Sequence, residues 1–288
     1  EKQILLPHKM SQFGPAMTVA DFNKDGLEDV FFGGSSGGTA SLFFQNSEGD
    51  FIKQDNAFFE KNKMLEDVDA ISFDFDKDGD LDIYVVSGGN EFEPGHPNYR
   101  DILYLNDGKG IFTDGSYKLP ENAKSGSVVK AFDYDRDGDL DLFVGTRHLP
   151  HNYPFSEGSF IYENKGDYFE DVTMLIANDL TSSGMVTDAV WTDFDNDSDL
   201  DLIMGNLGEN YKYQATIEKP FKVFAKDFND SGSTDIVLSY PQGGDYYPVR
   251  GKQCSSEQLP ELKKKFKDYN SFAQANIKTI YSDLGLSN

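Results

Sequence analysis

No run of 18 apolar residues occurs in the 288-residue chain, which excludes a membrane-spanning helix. Cysteine is down to one, Cys254, so no intrachain disulfide can form and cysteine usage says nothing of redox compartment. Basic side chains are scarce: 26 Lys and Arg stand against 50 Asp and Glu, for a formal charge of -24. Binding to a phosphate backbone runs on Lys/Arg contacts and counterion release, so this balance argues against nucleic acid as a partner. Also missing are Gly-x-Ser-x-Gly, His-Glu-x-x-His and a phosphate loop, the signatures of common enzyme classes. Glu1 is neither an initiator Met nor the start of a leader; the expectation is a leader already removed or a segment of a longer chain.

What the chain has in abundance is Asp at alternating positions. The stretch Asp74-Phe-Asp76-Lys-Asp78-Gly79-Asp80-Leu-Asp82 offers hard oxygen donors at positions one, three, five and nine around a tight turn, the donor set that Ca2+ takes in flexible geometry. The same nine-residue grammar returns with Asp21, Asn23, Asp25 and Asp29; Asp133, Asp135, Asp137 and Asp141; Asp193, Asp195, Asp197 and Asp201; and, with fewer charges, Asp227, Asn229, Ser231 and Asp235. These twenty residues are the candidate metal ligands, for up to five Ca2+. Position six is Gly26, Gly79, Gly138 and Gly232, which fits a turn needing positive φ, whereas Ser198 there predicts strain. Five divalent ions would cut the net charge to about -14. An EF-hand is excluded: its bidentate Glu at position twelve is replaced by Phe32, Val85, Val144, Met204 and Leu238. The flanks are short apolar or alternating runs such as Val128–Phe132, Leu81–Val86 and Leu140–Val144, which read as strands.

The loops start at 21, 74, 133, 193 and 227, spacings of 53, 59, 60 and 34 residues, and the longer spacings suit a four-stranded propeller blade. Between loops, Leu42–Phe51, Leu103–Phe112 and Phe160–Phe169 each read as an aromatic strand, an Asn/Gly turn and a returning aromatic, that is, a hairpin. Two strands around the loop plus this hairpin make one blade.

On these motifs, residues 10 to 250 resemble the FG-GAP and VCBS repeats, blades of integrin-α-like β-propellers that bind Ca2+ in a D-x-[DN]-x-[DN]-G-x-x-D loop. Stretches such as Asn106–Asp114 and Gly184–Ala189 are similar to large VCBS surface or secreted proteins of Bacteroidetes-type bacteria. The resemblance implies an all-β fold, a calcium-binding propeller with about five blades present, as part of seven or eight. Residues 1–250 are expected to form the blades and 251–288 a helical appendage. It further implies an extracellular, cell-surface or periplasmic binding or adhesion module, non-enzymatic, whose protein or glycan ligand is held by loops on one propeller face. The alternatives are a polysaccharide lyase or hydrolase on the same scaffold and a purely structural segment of a larger surface protein.

Two regions depart from the pattern. Gly205–Ala215 replaces the Asn/Gly hairpin, so the fourth blade is expected to be truncated or rearranged. From 255 to 281, Leu259, Leu262, Phe266 and Tyr269 recur at helical steps, and Ser271-x-x-Gln274 reads as a capping box. Of the remaining candidates, His8, His96, His148 and His151 are expected to be surface-loop residues, Trp191 a core residue, and Gly88–Tyr99 a long loop that is inert or functional with equal weight.

Overall fold

The computed structural model describes residues 13–206 and 215–282, together with Gln3, Leu5, Leu6 and Lys9. The chain divides into two compact units: Met10–Pro150 with Ser156–Asn206, and Glu1–Lys9 with His151–Phe155 and Leu207–Asn288.

The larger unit is a series of antiparallel blades. Strands β1 (Met17–Ala20), β2 (Asp29–Phe32), β3 (Ser41–Gln45) and β4 (Phe51–Gln54) form the first, in that order. A short helix α1 (Ala57–Lys61) leads to β5 (Asp67–Phe73), β6 (Asp82–Ser87), β7 (Ile102–Leu105) and β8 (Thr113–Asp114), the second. The third is β9 (Gly126–Phe132), β10 (Asp141–Thr146), β11 (Phe160–Asn164) and β12 (Phe169–Asp171). After α2 (Thr173–Ile176), β13 (Val186–Thr192) pairs with β14 (Asp201–Asn206), and among the described residues this fourth blade has two strands. The stretch expected to replace its hairpin lies, from 207 to 214, outside the described residues. The mostly β architecture of four-stranded antiparallel blades is the one the loop spacing predicts.

Side-chain alternation explains how the blades stack. On β6, Ile83 and Val85 join the core between the first and second blades, with Phe22, Phe31 and Leu42. Tyr84 and Val86 point the other way and pack with Leu142, Val144 and Tyr162 of the third. Every residue of β6 and of β10 is buried, because each strand has a neighbouring blade on both faces. A third core, Phe132, Phe143, Ile161, Val186 and Ala189, joins the third and fourth blades.

In the smaller unit, β15 (Lys222–Lys226), β16 (Asp235–Gln242) and β17 (Asp245–Pro248) form a three-stranded sheet. Four short helices follow: α3 (Lys252–Gln258), α4 (Glu261–Lys265), α5 (Tyr269–Ala273) and α6 (Ile277–Ile280). Leu259, Leu262, Phe266, Phe272, Ile277 and Ile280 pack on Val237. Two expectations are corrected here. Tyr269 is 65% exposed rather than on the apolar face. The cap of α5 is Asp268, whose carboxylate accepts from the Ser271 N–H at 2.8 Å, so Ser271 lies inside the first turn.

Candidate metal centres

Each Asp loop joins an inner strand to the next strand of its blade, and each has the same backbone. Position six is left-handed in all five, with φ of 87° at Gly26, 86° at Gly79, 89° at Gly138 and 81° at Gly232. Ser198 takes 76°, a conformation that costs an L side chain on the order of 1 kcal/mol. Position four is left-handed as well, at Lys24, Lys77, Arg136, Asn196 and Asp230, which the sequence reading missed because Lys and Arg do not favour it. These turns direct backbone N–H groups inward. Asp21 accepts from Asp25 N at 3.1 Å and Gly26 N at 2.8 Å; Asp74, Asp133, Asp193 and Asp227 accept from the N–H of position six in the same way.

The position-nine carboxylate anchors the loop. Asp29, Asp82, Asp141, Asp201 and Asp235 each accept from the N–H of position two at 2.9–3.0 Å. In the first three blades its other oxygen accepts from the third strand or the turn that follows it: Gln45 N, Asn106 N and Asn164 N, at 2.8–3.0 Å. Burial pushes these carboxyls up, Asp82 to about 7 and Asp141 to about 6, against the pull of those N–H groups.

Three loops bring three carboxylates together, with oxygens within 4.8 Å of one another: Asp74, Asp76 and Asp78; Asp133, Asp135 and Asp141; Asp193, Asp195 and Asp197. Asp137 lies in the same loop as the second group, its Oδ1 accepting from Asp139 N at 2.8 Å. Loop one gathers no such trio among the described residues; Asn23 Nδ2 donates to Asp25 Oδ2 at 3.1 Å. In loop five, Asp227 and Asn229 accept from Ser231 N, while Asn229 Nδ2 donates to Gln258 O at 3.1 Å. The donor set fits a hard divalent cation, and so does an observation independent of charge. Asp74 Oδ1 and Asp133 Oδ1 are buried and have no hydrogen-bond partner.

The family description FG-GAP-like repeat matches residues 21–85 and 74–144. Two FG-GAP-like repeats therefore lie within residues 21–144. No curated protein matches it. Among solved structures it is similar to an Agrocybe aegerita lectin that recognises non-reducing terminal N-acetylglucosamine, at 17% identity and a TM-score of 0.35. The match covers 81% of this chain and 50% of that one, so the chain spans about half the lectin's length.

The FG-GAP-like loops are joined from blade to blade. Asn106 of the second blade's turn donates to Phe22 O at 2.8 Å, in the loop of the first. Asn164 of the third donates to Phe75 O at 3.0 Å, in the loop of the second. From the other direction, Lys77 pairs with Asp139, and Arg136 Nη2 donates to Ser198 O at 2.8 Å. Lys24 Nζ and Asp80 Oδ2 lie together beside Gly108, 3.1 and 3.3 Å from where its Cβ would stand.

At the ends of the inner strands far from the FG-GAP-like loops is a cavity of about 260 Å³. Lys130 lies on its wall, 3.3 Å from Asp188 and 3.9 Å from Asp69. Arg147 caps it with its guanidinium 4.0 Å over the Phe13 ring. The histidines correct their expectation: His148 is buried, its Nε2 3.1 Å from Asn90 Oδ1, and His151 is buried too. His96 stacks on Phe92 with centroids 4.2 Å apart, and His8 lies outside the described residues. Trp191 stacks on Phe132 at 3.5 Å against the third core. In the long loop, Glu91 hydrogen-bonds Glu66, whose carboxyl is pushed to about 7 by burial and by that neighbour.

Proposed function

We propose that the chain is a calcium-held binding module, non-enzymatic, working outside the cytoplasm, with a protein or glycan ligand and a role in adhesion. The observation that carries the calcium part is the pair of buried, unpartnered oxygens, Asp74 Oδ1 and Asp133 Oδ1, each inside a trio of converging carboxylates. Ca2+ supplies a divalent charge able to gather six to eight oxygens. Asp74, Asp76, Asp78 and Asp82 would hold one ion, Asp133, Asp135, Asp137 and Asp141 a second, and Asp193, Asp195, Asp197 and Asp201 a third. Asp21, Asn23, Asp25 and Asp29 offer three charges, and Asp227, Asn229, Ser231 and Asp235 two, so those sites bind less tightly and loop five empties first. Thermal unfolding in Ca2+ and in chelator tests this: the chelated chain melts lower, and an unchanged melting temperature would sink the calcium reading.

The ligand's place in this reading is the cavity lined by Asp69, Lys130, Arg147 and Asp188. Carboxylates and cations side by side supply acceptors and donors at once, which suits the hydroxyls of a sugar or a polar side chain. A cavity near the lower end of ligand-site volumes takes one ring or one side chain. The Glu66 and Glu91 carboxyls lend the enzyme alternative no support, since they bond each other and glycosidase carboxyls stand about 5–9.5 Å apart. A glycan and peptide array run beside turnover assays decides: retention lost in Lys130→Ala without product supports binding, and released product overturns it.

A further inference from the structure

Position four of a metal-binding turn faces solvent and has no place in the donor set, so its residue type is free to vary. Here it is Lys24, Lys77 and Arg136 in the first three loops, each in a left-handed conformation. Each reaches the next blade's loop and not its own. Lys24 lies with Asp80, Lys77 pairs with Asp139, and Arg136 meets the Ser198 carbonyl beside Asp199. Asp80, Asp139 and Asp199 all stand at position seven of their loops. Charges are matched along the series.

A lone ion pair on a protein surface contributes little. These pairs differ in their surroundings. Asp139 is 11% exposed as a side chain, and it neighbours the carboxylate trio of loop three. A positive charge held there offsets crowded like charges when no metal is present, and repels a divalent ion when one arrives.

We propose that Lys24, Lys77 and Arg136 are positioning residues that act as built-in counter-cations, each carried by one loop to steady the next. They hold neighbouring loops together in the metal-free chain and weaken the metal affinity of the loop they reach. The inference rests on the calcium reading for its second half only.

The test uses the full chain and Lys77→Met, which keeps the aliphatic stem and removes the charge. In chelator the variant melts about 2–4 °C below the parent; in saturating Ca2+ the two agree within about a degree. By calorimetric titration one site tightens about fivefold, the size expected of a screened unit charge several ångströms from a divalent ion. That gain disappears in an Asp135→Asn background, which weakens loop three, and survives in Asp76→Asn, which weakens loop two. Lys77→Arg restores parental behaviour, and about 1 M salt erases the chelator-form difference. Equal losses in both media, or a tightened loop two, would show an ordinary bridge and overturn the proposal. A parent chain indifferent to Ca2+ overturns the calcium reading and the affinity half with it. A chelator-form melting temperature unchanged in Lys77→Met overturns the counter-cation whatever Ca2+ does.

Discussion

Loops three and four carry the same four Asp residues yet are anchored differently. In the third blade, Asp141 is buried and accepts two backbone N–H groups, one from its own loop and one from Asn164 at the end of β11. In the fourth, Asp201 is half-exposed and, among the described residues, accepts one, from Phe194. The strand that follows shows the same contrast: β10 is buried throughout, while no residue of β14 is, and Phe194 and Leu200 are 72% and 53% exposed. The loop's turn is therefore a local property of nine residues. In the first three blades its closure adds an N–H that the third strand or the turn after it places over the last carboxylate.

The contrast breaks most sharply at position nine. Asp141→Ala leaves a buried and a half-buried N–H group without an acceptor and is expected to cost about 3–5 kcal/mol in urea unfolding with chelator present, against about 1 kcal/mol for Asp201→Ala. Equal losses would mean that the third strand contributes nothing to closure.

A smaller effect separates the blades by pH. Asp101 of the second blade is buried, and burial pushes its carboxyl up to about 7 despite hydrogen bonds from the Tyr84 hydroxyl and the Ser87 N–H. A carboxyl raised in the folded state stabilises the fold most when protonated. That contribution is complete below about pH 4 and is lost as pH rises through about 7. Melting temperatures in chelator should fall across this window, and Asp101→Asn should make the slope shallower. A slope untouched by the substitution would count against it.

The smallest expected effect sharpens the comparison within the loop itself. Ser198→Gly relieves a left-handed φ and should stabilise the chain by about 0.5–1 kcal/mol in Ca2+, with the fourth loop's affinity rising. Gly138→Ser, the reverse change in loop three, should cost a similar amount.

Loops, hairpins and the flanking strands were legible because each is set by residues within about ten positions. The unread parts depend on partners distant in the chain. Asn106 reads as a turn residue, but its side chain holds a carbonyl 84 positions away, and Asn164 one 89 away. His148 reads as a loop residue until Asn90, 58 positions earlier, is seen against it. The left-handed Lys and Arg at position four oppose their own propensity, and the neighbouring loop is what makes sense of them. In the C-terminal segment the apolar period held at Leu259, Leu262 and Phe266 but not at Tyr269, and the cap chemistry of Asp268 in place of Ser271 moved a helix start.

The side-chain amides of Asn106 and Asn164 fasten to main-chain carbonyls, and a carbonyl is the same on every residue. Such a fastener is indifferent to which blade precedes it. Blades could therefore be duplicated or transplanted without losing it, provided the incoming loop keeps its turn. What limits the order of blades must lie elsewhere, in the side chains at positions four and seven. A second copy of blade two inserted after the first would find Lys77 facing Asp80 and fit, while blade four placed ahead of blade three would offer Asn196 to Asp139 and leave that acid unanswered. The amide fits any junction, and the charge pattern, a cation followed by an Asp, repeats through the first three blades and sets only the fourth apart.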